Sequence, residues 1–335
     1  MTTSIIICDD SSLARKQMAR ALPEGWDAEI TFAKDGAEGL AAIKAGKGEI
    51  LFLDLNMPVM DGYQLLESLR DADMHPMVIV VSGDVQPEAH KRVLDLGARE
   101  FIKKPVDKSL IADILQKYDL QVKTVGSTGK AIPSRQIELD VDVRDGCKEI
   151  ANVAMGRAAD LLARLLDVFV VMPIPNVNMI ETSELRMMLD HLGTGEAVSS
   201  VCQGFIGHGI AGEALLIFNE SSFTDIAALM KYDGKIDEAV ELELLMDVAS
   251  ILIGAFLKGI ADQLDVNFSQ GHPIVLGHHV QISELVKRNA DRWKTTLAIE
   301  MCYRFENHNI NCDLLLLFTE DSMESLNRLI SYLSE

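Results

Sequence analysis

Two hydrophobic rhythms alternate along the first third of the chain. "SIIIC" (4–8), "AEITFA" (28–33), "ILFLDL" (50–55), "MVIVVS" (77–82) and "REFIKK" (99–104) are short, mostly apolar and rich in Ile and Val. Between them lie helical patterns such as "DGAEGLAAIKAG" (35–46) and "DGYQLLESLRDA" (61–72). Short apolar runs alternating with helices predict an α/β fold, with a parallel sheet covered on both faces. Ligands of such sheets bind outside the carboxyl ends of the strands.

The rhythm stops at "QVKTVGSTGKAIPSRQ" (121–136), which is rich in Gly, Ser, Thr and Lys and contains Pro133. It reads as a linker, assigned to 122–133, between a first domain at 1–121 and a second at 134–335. The second domain repeats itself. Asp145-x3-Glu149-x2-Asn152-x22-Pro175 recurs in position as Glu243-x3-Asp247-x2-Ser250-x22-Pro273, and Gly156 matches Gly254. "IGHGIAGEALLIF" (206–218) likewise resembles "ENHNINCDLLLLF" (306–318). Each copy predicts a long helix, a strand, a hairpin and a closing helix. Repeats that cannot bury their own faces pack on each other, so a pseudo-symmetric α/β domain with a shared sheet is expected.

Composition narrows the function classes. A net charge of −20 would repel a phosphate backbone, which argues against nucleic-acid binding. No apolar run reaches the ~18 residues of a membrane helix, and "MTTSIIICDD" lacks the basic start of a signal peptide. Five scattered cysteines without a CxxC argue against disulfides and structural zinc and fit a reducing cytoplasm.

The acids at the strand ends carry the first candidate chemistry. Asp9 and Asp10 follow the first strand, Asp54 the third; Ser82 ends the fourth and Lys104 follows the fifth. A parallel sheet brings all of them to one edge. Three carboxylates repel one another there, and Mg²⁺ with oxygen ligands relieves the repulsion while keeping positions for phosphate oxygens. Together these residues resemble the receiver domain of bacterial response regulators, the flavodoxin-like CheY fold. The resemblance implies that Asp54 accepts a phosphoryl group from a histidine kinase, with Mg²⁺ held by Asp9, Asp10 and Asp54. It implies that Ser82 and Lys104 contact the phosphoryl oxygens and that Phe101 is the aromatic switch. Asn56 and Asp84 border this site and are expected to tune the access of water.

In the second domain, Glu149 and Asn152 share a helix face, with Asp145 one turn earlier. Ile150, Val153, Leu161, Leu162, Leu165 and Leu166 are expected to form a separate buried stripe. Gly156 and Ala159 leave room for another backbone. A carboxamide on an exposed helix can orient water, and phosphoryl transfer depends mainly on positioning and electrostatics. Glu149 is suited to pair with a lysine of the substrate and fix its register. The motif with Pro175 resembles the CheC, CheX and FliY family of chemotaxis phosphatases. That resemblance implies two long helices on a sheet and hydrolysis of the aspartyl phosphate of a CheY-like protein. It implies Asn152 as the water-placing residue and Glu149 as the docking one. The second copy departs from the motif at Asp247 and Ser250, so one working and one degenerate site are expected.

Three histidines, His272, His278 and His279, cluster near Pro273; with no Cys or acid at ligand spacing they read as loop or surface residues. His208 and His308 fall in matching hairpin turns. Cys147 reads as a buried structural thiol. The sequence therefore points to a cytoplasmic response regulator whose output is an aspartyl-phosphate phosphatase. Two other readings stay open. One is hydrolysis at Asp54 of the chain itself or of a dimer mate. The other is a non-catalytic module that docks a partner such as a CheD-like deamidase.

Overall fold

The computed structural model describes residues 2–118, 120, 142–180, 197–219, 221–280 and 296–334. The expected linker at 122–133 lies outside the described residues. The chain divides into two units, residues 1–149 and 150–333, each described by itself below.

The first unit holds a five-stranded parallel sheet in the order β2-β1-β3-β4-β5. The strands are β1 (Thr3–Cys8), β2 (Ala28–Ala33), β3 (Ile50–Leu53), β4 (Met77–Ser82) and β5 (Glu100–Lys103). Helices α1 (Ser12–Ala21), α2 (Gly36–Lys44), α3 (Gly62–Asp71), α4 (Pro87–Asp95) and α5 (Lys108–Lys117) follow them in turn. Successive strand residues point to opposite faces. Ile5 and Ile7 accordingly join one buried cluster with Met18, Ile111 and Leu115, while Ile6 and Cys8 join the other with Leu65, Leu66 and Leu69. Two covered faces explain the unbroken apolar runs.

Side-chain caps start most of these helices. Ser11 accepts from Ala14 N, Asp35 from Glu38 N, and Asp61 and Gln64 form a reciprocal capping box. Gly62 has a different reason to be glycine: a Cβ there would stand 2.4 Å from the Asp54 carbonyl oxygen. That close approach seats the start of α3 against the backbone of the third strand's end.

Helix α6 (Val143–Leu166) opens in the first unit and continues into the second. The second unit is a sheet of β6 (Val170–Val171), β7 (Asn176–Ile180), β8 (Val198–Gly207), β9 (Ile210–Asn219), β10 (Ser269–Gln270), β11 (Ile274–Val280), β12 (Thr296–Phe305) and β13 (Asn311–Thr319). Its further helices are α7 (Ser222–Leu229), α8 (Glu238–Leu264) and α9 (Ser322–Ser334). The repeat is structural. The hairpins β8–β9 and β12–β13 join antiparallel through β9 and β13, with Leu215 opposite Leu315 at the centre. The short strands cross over: β6 and β7 of the first copy pair with β12, while β10 and β11 of the second pair with β8. Among the described residues, each copy's short strands pair with the other copy's hairpin, so the two fold as one body.

Small residues let the two long helices touch. A Cβ on Gly259 would lie 2.8 Å from the Ala154 Cα, Gln263 Nε2 donates to the Ile150 carbonyl at 2.9 Å, and Arg157 pairs with Asp262 at 2.9 Å. The apolar stripe expected on α6 is corrected in part. Ile150, Val153, Leu162 and Leu166 are buried, but Leu161 is 50% and Leu165 48% exposed. Leu161 and Leu165 fall within about 20° of Ala154 around the helix, so the side that is covered at Ala154 is left uncovered two to three turns later. Among the described residues, one helix, Glu238–Leu264, is long enough and, over an 18-residue stretch of mean hydropathy 1.9, apolar enough to cross a bilayer by length and composition. Burial of Leu244, Val248, Leu252, Phe256 and Ile260 in the unit's interior accounts for that apolarity.

His208 lies in the β8–β9 turn with φ 53°, and His308 follows Asn307, whose φ is 64°, in the β12–β13 turn. His278 and His279 are not loop residues; they belong to β11.

Candidate functional site

The carboxyl edge of the first sheet gathers the expected residues by backbone register. Asp9 N donates to Ala33 O at 3.1 Å, Asp54 N to Cys8 O at 2.9 Å, and Lys104 N to Ser82 O at 2.9 Å. Each bond prolongs a strand pairing by one residue and sets the side chain at the rim. Asp9, Asp54, Ser82 and Lys104 are all buried there.

Lys104 Nζ lies 2.7 Å from Asp9 Oδ2, 3.4 Å from Asp54 Oδ1 and 3.1 Å from Glu149 Oε1. One ammonium thus serves three carboxylates. Burial and mutual repulsion outweigh it on the acid side. Burial first, then Asp54 and Asp10, push Asp9 up to about 7 against the pull of Lys104. Burial, with Glu149 and Asp10, pushes Asp54 up to about 6, and burial with Asp9 pushes Glu149 up to about 7. Burial alone would depress the Lys104 ammonium, but Asp54, Asp9 and Glu149 hold it well above the ordinary lysine range.

The donor set fits a hard divalent cation. Ligand oxygens of Asp9, Asp10 and Asp54 all lie within 4.8 Å of one another, and both oxygens of the Asp54 carboxylate are buried. An all-oxygen site with few protein ligands suits Mg²⁺, which keeps positions for phosphate oxygens.

Ser82 Oγ accepts from Asp84 N at 3.1 Å, and Asp84 Oδ1 accepts from Gln86 N at 3.0 Å and Gln86 Nε2 at 3.1 Å. This chain of turns leads from the β4 terminus into α4. Phe101 is half-buried, with its ring 5.0 Å from that of His90 on α4.

The opening turns of α6 belong to the same unit. Asp145 sits at the N-terminus of α1: its carboxylate accepts from Ser12 Oγ at 2.6 Å, Leu13 N at 3.0 Å and Ser12 N at 3.2 Å. It satisfies two orphan N–H groups of that helix and meets the positive end of its dipole. Lys148 pairs with Asp10. Neither contact is visible in the sequence, where a lone lysine carries no pattern.

The expectation of an exposed motif is not met. Glu149 is 5% and Asn152 4% exposed. For Glu149 the cause is its enclosure beside Lys104 and Asp9. Cys147 is buried and its thiol is pushed up to about 12, which leaves it inert at neutral pH. The second copy differs. Asp247 and Ser250 are exposed, and Ser250 Oγ donates back to the Met246 carbonyl of its own helix at 2.7 Å.

Comparison with known proteins agrees with the first unit. A family model described as the response regulator receiver domain matches residues 5–116. The chemotaxis protein CheY of Treponema pallidum is 32% identical over 112 residues, which is 32% of this chain and 77% of that protein. A protein-glutamate methylesterase/protein-glutamine glutaminase of Lawsonia intracellularis is 32% identical over 144 residues. The match takes in 41% of this chain and 40% of that relative, so the chain spans less than half of its length. Among solved structures, Thermotoga maritima FliY overlays 58% of this chain and 99% of its own at 15% identity and a TM-score of 0.41. An overlap of that extent assigns no residue a role. Through its parallel sheet, its acid trio and these relatives, the chain belongs to the response regulator receiver family, of which CheY is a member.

Proposed function

We propose that this chain is a chemotaxis response regulator phosphorylated on Asp54 by a histidine kinase, and that its second unit hydrolyses receiver aspartyl phosphate. Asp9, Asp10 and Asp54 would hold Mg²⁺, which when bound offsets negative charge on the phosphoryl group. Ser82 and Lys104 bind that group's oxygens. Asn152, on the helix that carries Glu149, orients the attacking water through its carbonyl oxygen. Water adds to phosphorus, the bond to the Asp54 oxygen breaks, and inorganic phosphate leaves with the carboxylate restored.

The observation that carries this reading is the 3.1 Å ion pair between Glu149 and Lys104. A helix built to recognise receivers should grip the lysine that such domains place beside the phosphoryl group. Glu149 holds that lysine on this chain's own receiver. The same pair occupies Glu149 with this chain's own lysine, so a separate CheY-like protein reaches Glu149 only if the pair opens. Asp145 on the α1 terminus and Lys148 on Asp10 add to the grip. A CheD-like partner finds no comparable support.

The test is decay of the phosphorylated full chain, charged with a small phosphodonor and then freed of it. Self-hydrolysis gives a first-order rate that does not change with protein concentration and falls in Asn152→Ala. A phosphorylated CheY-like protein added in excess serves as the competing substrate. No effect of Asn152→Ala on either substrate would refute the enzymatic reading.

A further inference from the structure

The second copy carries a cluster that the receiver chemistry does not use. Glu241, in the first turn of α8, meets His278 and His279 of β11. His279 Nε2 lies 2.9 Å and His278 Nε2 3.4 Å from Glu241 Oε2, and ligand atoms of the three residues all fall within 4.8 Å of one another.

Adjacent strand residues ordinarily point to opposite faces of a sheet. These two imidazoles do not; their ring centroids are 3.8 Å apart. Two backbone features bring them together. Between Gly277 and Val280, β11 advances three residues while its partner β8 advances two, from Ser200 to Val198, so the strand bulges by one residue. His279 also adopts φ 53°, a left-handed conformation that costs a residue with a Cβ on the order of 1 kcal/mol. Bulges and such strain concentrate where a side chain must be re-aimed.

The buried Ser199 hydroxyl braces both histidines. Its Oγ is 2.7 Å from His278 Nδ1 and accepts from His279 N at 3.4 Å. A hydrogen bond at Nδ1 orients the ring and, when Nδ1 is the donor, leaves the Nε2 lone pair directed at Glu241. That is how a ligating histidine is commonly held. His279 is 43% exposed, so solvent reaches the cluster.

We propose that Glu241, His278 and His279 form a binding site for a borderline divalent transition metal such as Zn²⁺. Two imidazole nitrogens and one carboxylate are a three-ligand set for this ion class and leave a further position for water or a partner's side chain. A hard ion such as Mg²⁺ prefers all-oxygen donors and is expected at the receiver acids instead. The site belongs to the second copy alone. At the repeat offset the first copy has Val143, Ile180 and Glu181, so the motif that lost its carboxamide stands in the copy that carries these ligands. Metal there would tie the first turn of α8 to β11. Sequence spacing hid it because the acid lies on a helix far from the histidines in the chain.

The test uses the full chain without an affinity tag, in excess Mg²⁺ to fill the receiver acids. Co²⁺ is titrated as a spectroscopic probe and then displaced by Zn²⁺. We expect a saturable visible ligand-field band that Zn²⁺ abolishes at one equivalent. Glu241→Gln and His279→Ala should each lose the band while circular dichroism stays native. Ser199→Ala should weaken binding about 10- to 100-fold. Asp54→Asn should keep the band. Absence of a saturable band, its persistence in both ligand variants, or its loss in Asp54→Asn overturns the proposal.

Discussion

Glu149 Oε1 and Asp9 Oδ2 share one ammonium, that of Lys104, at 3.1 Å and 2.7 Å. The motif glutamate therefore docks a lysine and also adds a further negative charge to an acid cluster. Glu149→Gln keeps the shape and removes that charge. Because Glu149 is among the groups raising Asp54, the Asp54 carboxyl should move down toward the ordinary range, as read by carbon-13 NMR of labelled aspartate. Self-hydrolysis of phospho-Asp54 should slow by about tenfold or more, the scale of one lost charge-assisted contact. An unchanged Asp54 titration would show that the pair is not formed in solution.

Asp145 on α1 gives a separate stability prediction. Its carboxylate takes the N–H groups of Ser12 and Leu13 as well as the Ser12 hydroxyl. Replacing a group at a helix N-terminus costs about 0.5–2 kcal/mol. Asp145→Ala should lower the receiver's unfolding free energy by that amount, read from urea melts, and leave phosphorylation of Asp54 by a small donor intact.

How far these residues could be read in advance depends on whether their partners are local. The receiver strands declare themselves because both faces are covered, so Ile5, Ile6 and Ile7 are apolar in succession, and register alone then carries Asp9, Asp54 and Lys104 to one edge. The repeat was also legible, since Leu215 and Leu315 occupy equivalent places in similar hairpins. The crossed pairing of β7 with β12 and β11 with β8 was not, because antiparallel pairing between copies leaves no local trace. Nor was the burial of Glu149, which depends on Lys104 much earlier in the chain. Leu161 and Leu165 misled because apolarity marks a helix side but not whether anything covers it.

Lys148 holds Asp10, one of the three acids suited to Mg²⁺. An ion at those oxygens competes with the ammonium. Lys148→Ala should therefore tighten Mg²⁺ binding, followed by calorimetry or by Trp26 fluorescence. A partly exposed pair contributes about 0.2–1 kcal/mol, so the gain is at most about fivefold. Weaker Mg²⁺ binding in the variant would place Lys148 in support of the site instead.

The acid cluster also sets a pH dependence. Asp9, Asp54 and Glu149 are raised by burial to about 7, 6 and 7 in the fold, against ordinary values near 4 in the unfolded chain. The folded state thus favours their protonated forms. Their stabilising contribution is complete below about pH 4 and is lost as pH rises through 6 and 7. In Mg²⁺-free buffer the receiver should be more stable at pH 5 than at pH 8 by an amount on the order of a few kcal/mol, read from urea melts. Saturating Mg²⁺ should flatten this difference by neutralising the carboxylates. A pH 8 optimum without Mg²⁺ would contradict the crowding.

Asn152 decides between an enzyme and a docking surface. Its carboxamide has no useful basicity, so its contribution to hydrolysis would be orientation of water, and poor alignment of a reacting group costs about 10²-fold. Asn152→Ala should slow loss of phosphate from phospho-Asp54 by about that factor while Mg²⁺ affinity stays unchanged. Asn152→Asp should not restore the rate, because a carboxylate beside a phosphoryl group adds repulsion as it supplies an acceptor. The double variant Asp247→Ala, Ser250→Ala should behave as the parent, since both side chains are exposed and Ser250 already bonds its own helix. A loss of rate in the double variant equal to that in Asn152→Ala would mean that the two copies act together, and the assignment of a single working motif would fall.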